Sequence, residues 1–123
     1  DFMAKTTIDS TPTVTEPSQS VLEWLQDAMS EREFQQHVED ALTTRGYLWW
    51  HVRDSRLMRA GLPDIIAVHP ARCPRRVYFF ELKTTTGRVT SKQREALDAL
   101  AHADGVDARV IRPRDWPAVL KEL

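Results

Sequence analysis

The stretch Gly61–Lys83, GLPDIIAVHPARCPRRVYFFELK, decides how the rest of the chain is read. It holds two short apolar runs, Ile65-Ile66-Ala67-Val68 and Val77-Tyr78-Phe79-Phe80, each with a carboxylate at one end. Asp64 opens the first run. Glu81, followed by Leu82 and Lys83, closes the second. Runs this short, bounded by Gly and Pro and rich in β-branched and aromatic residues, predict strands. Pro63 suits the start of a strand and not its middle, which puts Asp64 at an edge position. Side chains alternate faces along a strand, so Glu81 and Lys83 share one face and Phe80 and Leu82 take the other. With the strands as antiparallel neighbours, Asp64 lies beside Glu81. Two carboxylates next to an ammonium make a site for a hard divalent cation bound through oxygen. The competing readings are a plain turn residue for Asp64 and a cross-strand ion pair for Glu81 and Lys83. Against them, an acid that follows three aromatics in an inner strand is costly to bury without a role.

Upstream of this stretch, residues 4–19 are rich in Thr, Ser and Pro and almost free of large apolar side chains. Such a segment buries too little surface to offset its ordering entropy, which predicts a flexible tail over residues 1–19. A short helix follows at about 20–29, with Val21, Trp24, Leu25 and Ala28 on one stripe. Ser30-Glu31-Arg32-Glu33 has the Ser-x-x-Glu form of a capping box and starts a second helix. Its apolar residues are Phe34, Val38, Ala41 and Leu42, and Gly46 is placed to end it. Glu31, three before Phe34 and seven before Val38, falls on the inward stripe, whereas Glu33 serves the cap. Tyr47–Arg53 reads as a strand.

Downstream, Thr90-Ser91-Lys92-Gln93 repeats the capping signature at the start of a helix running to about His102. Gln93, four before Leu97, points inward; whether it serves the cap or the site is open. Ala108–Arg112 is a last strand and Asp115–Leu123 a closing helix. The expected fold is α/β, in the order ααβββαβα, with a mixed central sheet flanked by helices. Residues 20–123 form a single domain on this reading.

The formal net charge of −1 hides an asymmetry. Residues 1–44 carry −7, residues 45–94 carry +8, and residues 95–123 carry −2. The positive charge is expected around the carboxylate pair, where a polyanion would lie. Arginine predominates there, and its planar fork suits phosphate. His51 is open between a core histidine and a phosphate contact. One cysteine, Cys73, excludes an internal disulfide and a Cys-based zinc site. No apolar run approaches the roughly 20 residues of a membrane span, and no signal-peptide core is apparent. A cytoplasmic protein is therefore expected. There is no P-loop, so no nucleotide cofactor is expected.

Helix glutamate, Gly-x-Pro-Asp, Glu-x-Lys and Thr-x-x-Gln, in this order, resemble the PD-(D/E)xK nuclease superfamily. The residues are Ser30–Gln35, Trp50-His51, Gly61–Asp64, Phe80–Lys83 and Thr90–Gln93, within about residues 30–117. Within that superfamily the pattern is most similar to the VRR-NUC family, the virus-type replication-repair nucleases. Its start also resembles Holliday-junction resolvases. The resemblance implies a restriction-endonuclease-like fold and Mg²⁺-dependent phosphodiester hydrolysis, with Mn²⁺ as a substitute. It implies metal ligation by Asp64, Glu81, the Leu82 carbonyl and Glu31, with Lys83 orienting or deprotonating the attacking water. Gln93 would position Lys83 or the scissile phosphate. A bacterial or phage-infected cell is the setting it implies. The N-terminal extension departs from the compact members of the family.

The function expected is a structure-specific DNA endonuclease that resolves Holliday junctions or other branched DNA. A flap, nicking or restriction-type nuclease with the same site is one alternative, and a non-catalytic DNA-binding module another. DNA contacts are expected from His51, Arg53, Arg56, Arg59, Arg72, Arg75, Arg76, Arg88 and Lys92. A symmetric junction calls for a two-fold dimer, with Val21, Trp24, Leu25 and Met29 as interface candidates.

Overall fold

Two reciprocal caps set where the principal helices begin. In the computed structural model, which describes residues 18–52 and 59–123, the Glu33 amide donates to Ser30 Oγ at 3.1 Å, and the Ser30 amide donates to Glu33 Oε1 at 3.0 Å. Most of the expected N-terminal tail, residues 1–17, lies outside the described residues, as do Arg53 and Arg56. Helix α1 spans Gln19–Ala28 and α2 spans Glu31–Thr44. Spacing of four places Phe34, Val38 and Leu42 on one buried stripe of α2. Gly46, at φ 83°, turns the chain out of that helix.

Four strands follow: β1 Leu48–His51, β2 Ile65–Val68, β3 Val77–Leu82 and β4 Val106–Ile111. They lie in the order β1-β2-β3-β4. The first two pairings are antiparallel and β3–β4 is parallel. Helix α3, Ser91–Ala101, makes the crossover that a parallel pair requires. Helix α4, Trp116–Glu122, closes the chain. The order ααβββαβα is the one expected, and the mixed sheet is compatible with a restriction-endonuclease-like fold.

Element ends differ from expectation where backbone bonds decide them. Tyr47 is not in β1, because its amide donates to the Leu42 carbonyl and closes α2. The last strand starts two residues earlier than expected, since the Val77 amide donates to Gly105 O and extends the pairing.

The core lies on one face of the sheet. Phe34, Val38 and Leu42 of α2 meet Ile65, Ala67, Tyr78, Phe80, Leu82 and Ile111 there, with Trp116 and Val119 of α4. Phe34 and Trp116 pack edge to face, with ring centroids 6.5 Å apart. Truncating Phe34 to Ala here would cost about 3–5 kcal/mol. Helix α3 covers the opposite face, the one that carries Glu81. Helix α1 buries none of its residues. It is held by Asp27, which takes two bonds from Arg114 at 2.9 and 2.6 Å and one from Thr85 at 3.0 Å. Among the described residues, no helix is long and apolar enough to cross a membrane.

Candidate active site

Asp64 is the residue that leads into β2, directly after the buried Pro63. Its carbonyl accepts from the Val52 amide at 2.9 Å, which continues the β1–β2 ladder. Its side chain crosses to the next strand, where Oδ2 accepts from the Leu82 amide at 2.8 Å. The register pairs Ile65 with Phe80, so the next step of the ladder sets Asp64 opposite Glu81. The two carboxylates therefore stand side by side at the open end of the β2–β3 hairpin.

Glu81 is 2 % exposed. Its Oε2 accepts from Gln93 Nε2 at 3.0 Å and stands 3.5 Å from Lys83 Nζ. Its Oε1 is buried and has no hydrogen-bond partner among the described residues. Burial pushes the Glu81 carboxyl up to about 7; the neighbouring Asp64 charge adds to the rise and Lys83 opposes it. Lys83 lies on the Glu81 face, as alternation requires, and its amide donates to Ile111 O at 3.1 Å.

Gln93 serves two structures at once. Its Oε1 accepts from the Thr90 amide at 2.9 Å, completing the cap of α3, while its Nε2 donates to Glu81. The start of α3 is pressed against the Gly61 loop. A Cβ on Gly61, whose φ is 103°, would stand 2.4 Å from the Lys92 carbonyl oxygen. Only glycine fits there, so the loop that leads to Asp64 and the helix that carries Gln93 are packed together. Arg112 supports the chain just after Lys83, donating to the carbonyls of Thr84 at 2.6 Å and Gly87 at 2.7 Å.

The donor set suits a hard cation. A buried, unpartnered carboxylate oxygen beside a second carboxylate costs free energy unless a proton or a metal ion compensates it. Carboxylate oxygens are the ligands that Mg²⁺ and Mn²⁺ take. No third His, Cys, Asp or Glu joins the pair in a metal-binding cluster among the described residues. Glu31 in particular is exposed in the first turn of α2, ahead of Phe34, the first residue of that helix to be buried.

The buried acid of α2 is instead Glu39, whose Oε2 accepts from Gln35 Nε2 at 2.8 Å. Gln35 Nε2 also stands 3.3 Å from His51 Nδ1. His51 thus sits on the α2 face of the sheet, across from the carboxylate pair. The spacing of Gln35 and Glu39, four apart on a helix, was the sequence signal available for this pair.

The arginines divide into two groups. Arg59 and Lys92 approach Glu95 of α3, at 3.7 and 3.9 Å, and belong to the site end of the sheet. Arg88 is exposed in the loop before α3. Arg72, Arg75 and Arg76 line a cavity of about 420 Å³ with Tyr47, His69 and Glu122. That cavity lies at the hairpin turn. Four residue steps along β3 take Val77 to Glu81, roughly 13 Å at strand rise. The expectation that the basic charge is concentrated around the carboxylates is thereby corrected for Arg72, Arg75 and Arg76: the acids mark the open end of a hairpin and these arginines its turn.

A family model described as a VRR-NUC domain matches residues 5–115. The N-terminal segment, read from the motifs as a departure from that family, lies inside the match from residue 5 onward. No curated protein and no solved structure matches the chain.

Proposed function

The chain belongs to the VRR-NUC family, a nuclease family, and on that premise we propose a divalent-metal-dependent endonuclease acting on branched DNA, Holliday junctions above all. The observation that carries the reading is the buried Glu81 carboxylate, one oxygen unpartnered, set beside Asp64 and Lys83. Asp64 and Glu81 would hold Mg²⁺ or Mn²⁺, with the Leu82 carbonyl as a third ligand. Bound there, the ion supplies Lewis-acid charge to the scissile phosphate. Lys83 contributes a positive charge at the same phosphate and orients the attacking water. Gln93 fixes Glu81, and Arg112 fixes the chain that follows Lys83. Glu31, exposed at the start of α2, would enter through water or a second ion.

The two groups of basic residues would hold phosphates without reading bases. The roughly 13 Å of β3 between the hairpin turn and Glu81 matches about four base-pair rises, so the hairpin-turn arginines would grip the duplex away from the cut. A two-fold dimer would place two such sites on a symmetric junction. Helix α1 supports this with Val21, Leu22, Trp24 and Leu25 all exposed. Met29, also expected at the interface, packs against the core.

The test is cleavage of a labelled four-way junction, a flap and a linear duplex, with Mg²⁺ or with EDTA, by wild type and Lys83→Ala. Symmetric, metal-dependent nicks across the junction, lost in the variant, are expected. Cutting of flap or duplex alone would remove the junction assignment, and binding without cutting in any divalent metal would remove the enzyme.

A further inference from the structure

Trp50 is unlike the tryptophan beside it. Trp49 turns to the core face, where its Nε1 donates to Thr43 Oγ1 of α2 at 2.9 Å. Trp50, one residue on, must take the opposite face. That is the face of Asp64, Glu81 and Lys83: Trp50 pairs with Ile66, Ile66 with Phe79, and Phe79 lies two before Glu81. Helix α3 does not bury Trp50, which is 55 % exposed, with Leu48 beside it at 53 %. Ile66 and Phe79, half-buried, form the floor next to it. The indole thus stands on an edge strand, on the face of the sheet that carries the site.

We propose that Trp50 is a stacking platform for a base with a free face, unpaired or at the end of a stacked arm, in the nucleic acid held at the Asp64–Glu81 site. The inference rests on the nuclease reading and deepens it by naming the substrate class: DNA with unstacked bases close to the cut. Trp50 is two strands and two residues from Glu81, roughly 12 Å between backbone positions. That is about three nucleotides at the rise of stacked DNA. In an intact duplex each base is covered on both faces by its neighbours. At a branch point, gap or flap a base face is free, and an indole matches any base through its π-face. Lys83, Arg59 and Lys92 lie toward this end of the sheet but face Glu81 and Glu95, so the occupant follows from the indole's place beside the Asp64–Glu81 site and not from net charge. A second copy of the chain is the weaker candidate. Two partly exposed side chains fall far short of the roughly 800 Å² per partner that a stable interface buries.

The test is fluorescence-anisotropy binding of the full chain in EDTA, so that no cleavage intervenes. The probes are a labelled duplex and the same duplex carrying a short unpaired thymidine stretch. Trp50→Ala is expected to weaken binding of the second probe by about 5- to 100-fold and to leave the paired duplex within about twofold. Trp50→Phe should keep most of the affinity, and Trp50→Leu should behave as Ala. A thermal melt of each variant separates loss of fold from loss of stacking. Equal affinity of wild type and Trp50→Ala for both probes would overturn the proposal, and so would equal weakening on both. A concentration-dependent dimer abolished by Trp50→Ala, without a difference between probes, would assign the face to a second copy. If wild type cuts nothing in Mg²⁺ yet keeps Trp50-dependent binding, the nuclease reading falls and the stacking platform stands.

Discussion

Gln93 is both the cap of its own helix and the hydrogen-bond donor to Glu81. The two bonds use different atoms of one amide, so a single substitution can separate them. Gln93→Glu keeps a carboxylate oxygen for the Thr90 amide and loses the donor. It also adds a third negative charge beside Asp64 and Glu81. The expected outcome is a retained helix cap, a melting temperature lowered by the added like charge and not by loss of the cap, and cleavage lowered by about 10- to 100-fold, the usual range for a supporting partner of a metal ligand. Gln93→Ala should lose activity and also about 0.5–2 kcal/mol of stability. Wild-type activity from Gln93→Glu, measured on the substrate that wild type cuts best, would remove Gln93 from the site.

Gly61 holds the same helix from the other side. Gly61→Ala forces a Cβ to within 2.4 Å of the Lys92 carbonyl oxygen at a backbone φ of 103°. Gly105→Ala supplies the control, since its φ is 76° but the nearest atom lies 3.8 Å away. Both variants should lose about 1–3 kcal/mol from backbone strain. Gly61→Ala alone should also lose activity, because it displaces Gln93 relative to Asp64. Denaturant melts paired with cleavage rates test this. Equal activity in the two variants would show that the Gly61 contact does not reach the site.

The raised pKa of Glu81 gives metal-free stability a pH dependence of definite sign. The folded state binds the Glu81 proton up to about pH 7, whereas the unfolded chain releases it near 4.5. Between these values the folded state holds more protons, so stability falls as pH rises, by up to about 3 kcal/mol in all. Above pH 7 the loss is complete. Glu81→Gln removes the titration. At pH 8 without metal it should therefore melt above wild type, and near pH 4 the two should coincide. Saturating Mg²⁺ at pH 8 should stabilise wild type by about 3 kcal/mol at a hundredfold excess over Kd, and should leave Glu81→Gln unmoved. Calorimetric melts across pH, with and without Mg²⁺, check both statements.

These relationships show which parts of the site were legible in the chain and which were not. The Ser30–Glu33 and Thr90–Gln93 caps are contacts over three residues, so their signatures stand in the sequence. The hairpin is equally local: alternation alone puts Glu81 and Lys83 on one face, and Pro63 puts Asp64 at its mouth. Gln93 bonding to Glu81, Gly61 pressing on Lys92 and Arg112 holding the carbonyls of Thr84 and Gly87 join elements distant in sequence. Periodicity turns Gln93 inward but names no partner for it, and it reports neither of the other two contacts. Helical phase also misled for Glu31, because a helical wheel treats the helix as endless, whereas the buried part of α2 begins at Phe34. Glu39, on the flank of the stripe, is the acid that is buried. Charge counted along the chain likewise merged arginines that the hairpin holds at opposite ends.

Helix α1 supplies the last prediction. It buries no residue, and Trp24 is 67 % exposed, so the helix contributes little to the stability of one chain through its apolar side chains. Its attachment is polar, through Asp27 to Arg114 and to Thr85, the second residue after Lys83. A partner seated on the apolar stripe would thus be linked to the segment that follows Lys83. Trp24→Ala combined with Leu25→Ala should leave the melting temperature at low protein concentration unchanged and convert a dimer into a monomer in sedimentation. On a four-way junction the two nicks should then become independent events, while the rate of a single nick per active site stays within about threefold, as expected for substitutions far from the chemistry. Asp27→Asn should keep the dimer and slow each nick, because it loosens the Thr85 attachment without touching the stripe. If the double variant sediments as wild type does, the stripe is not the interface. If Asp27→Asn cuts at the wild-type rate, the helix and the site are uncoupled.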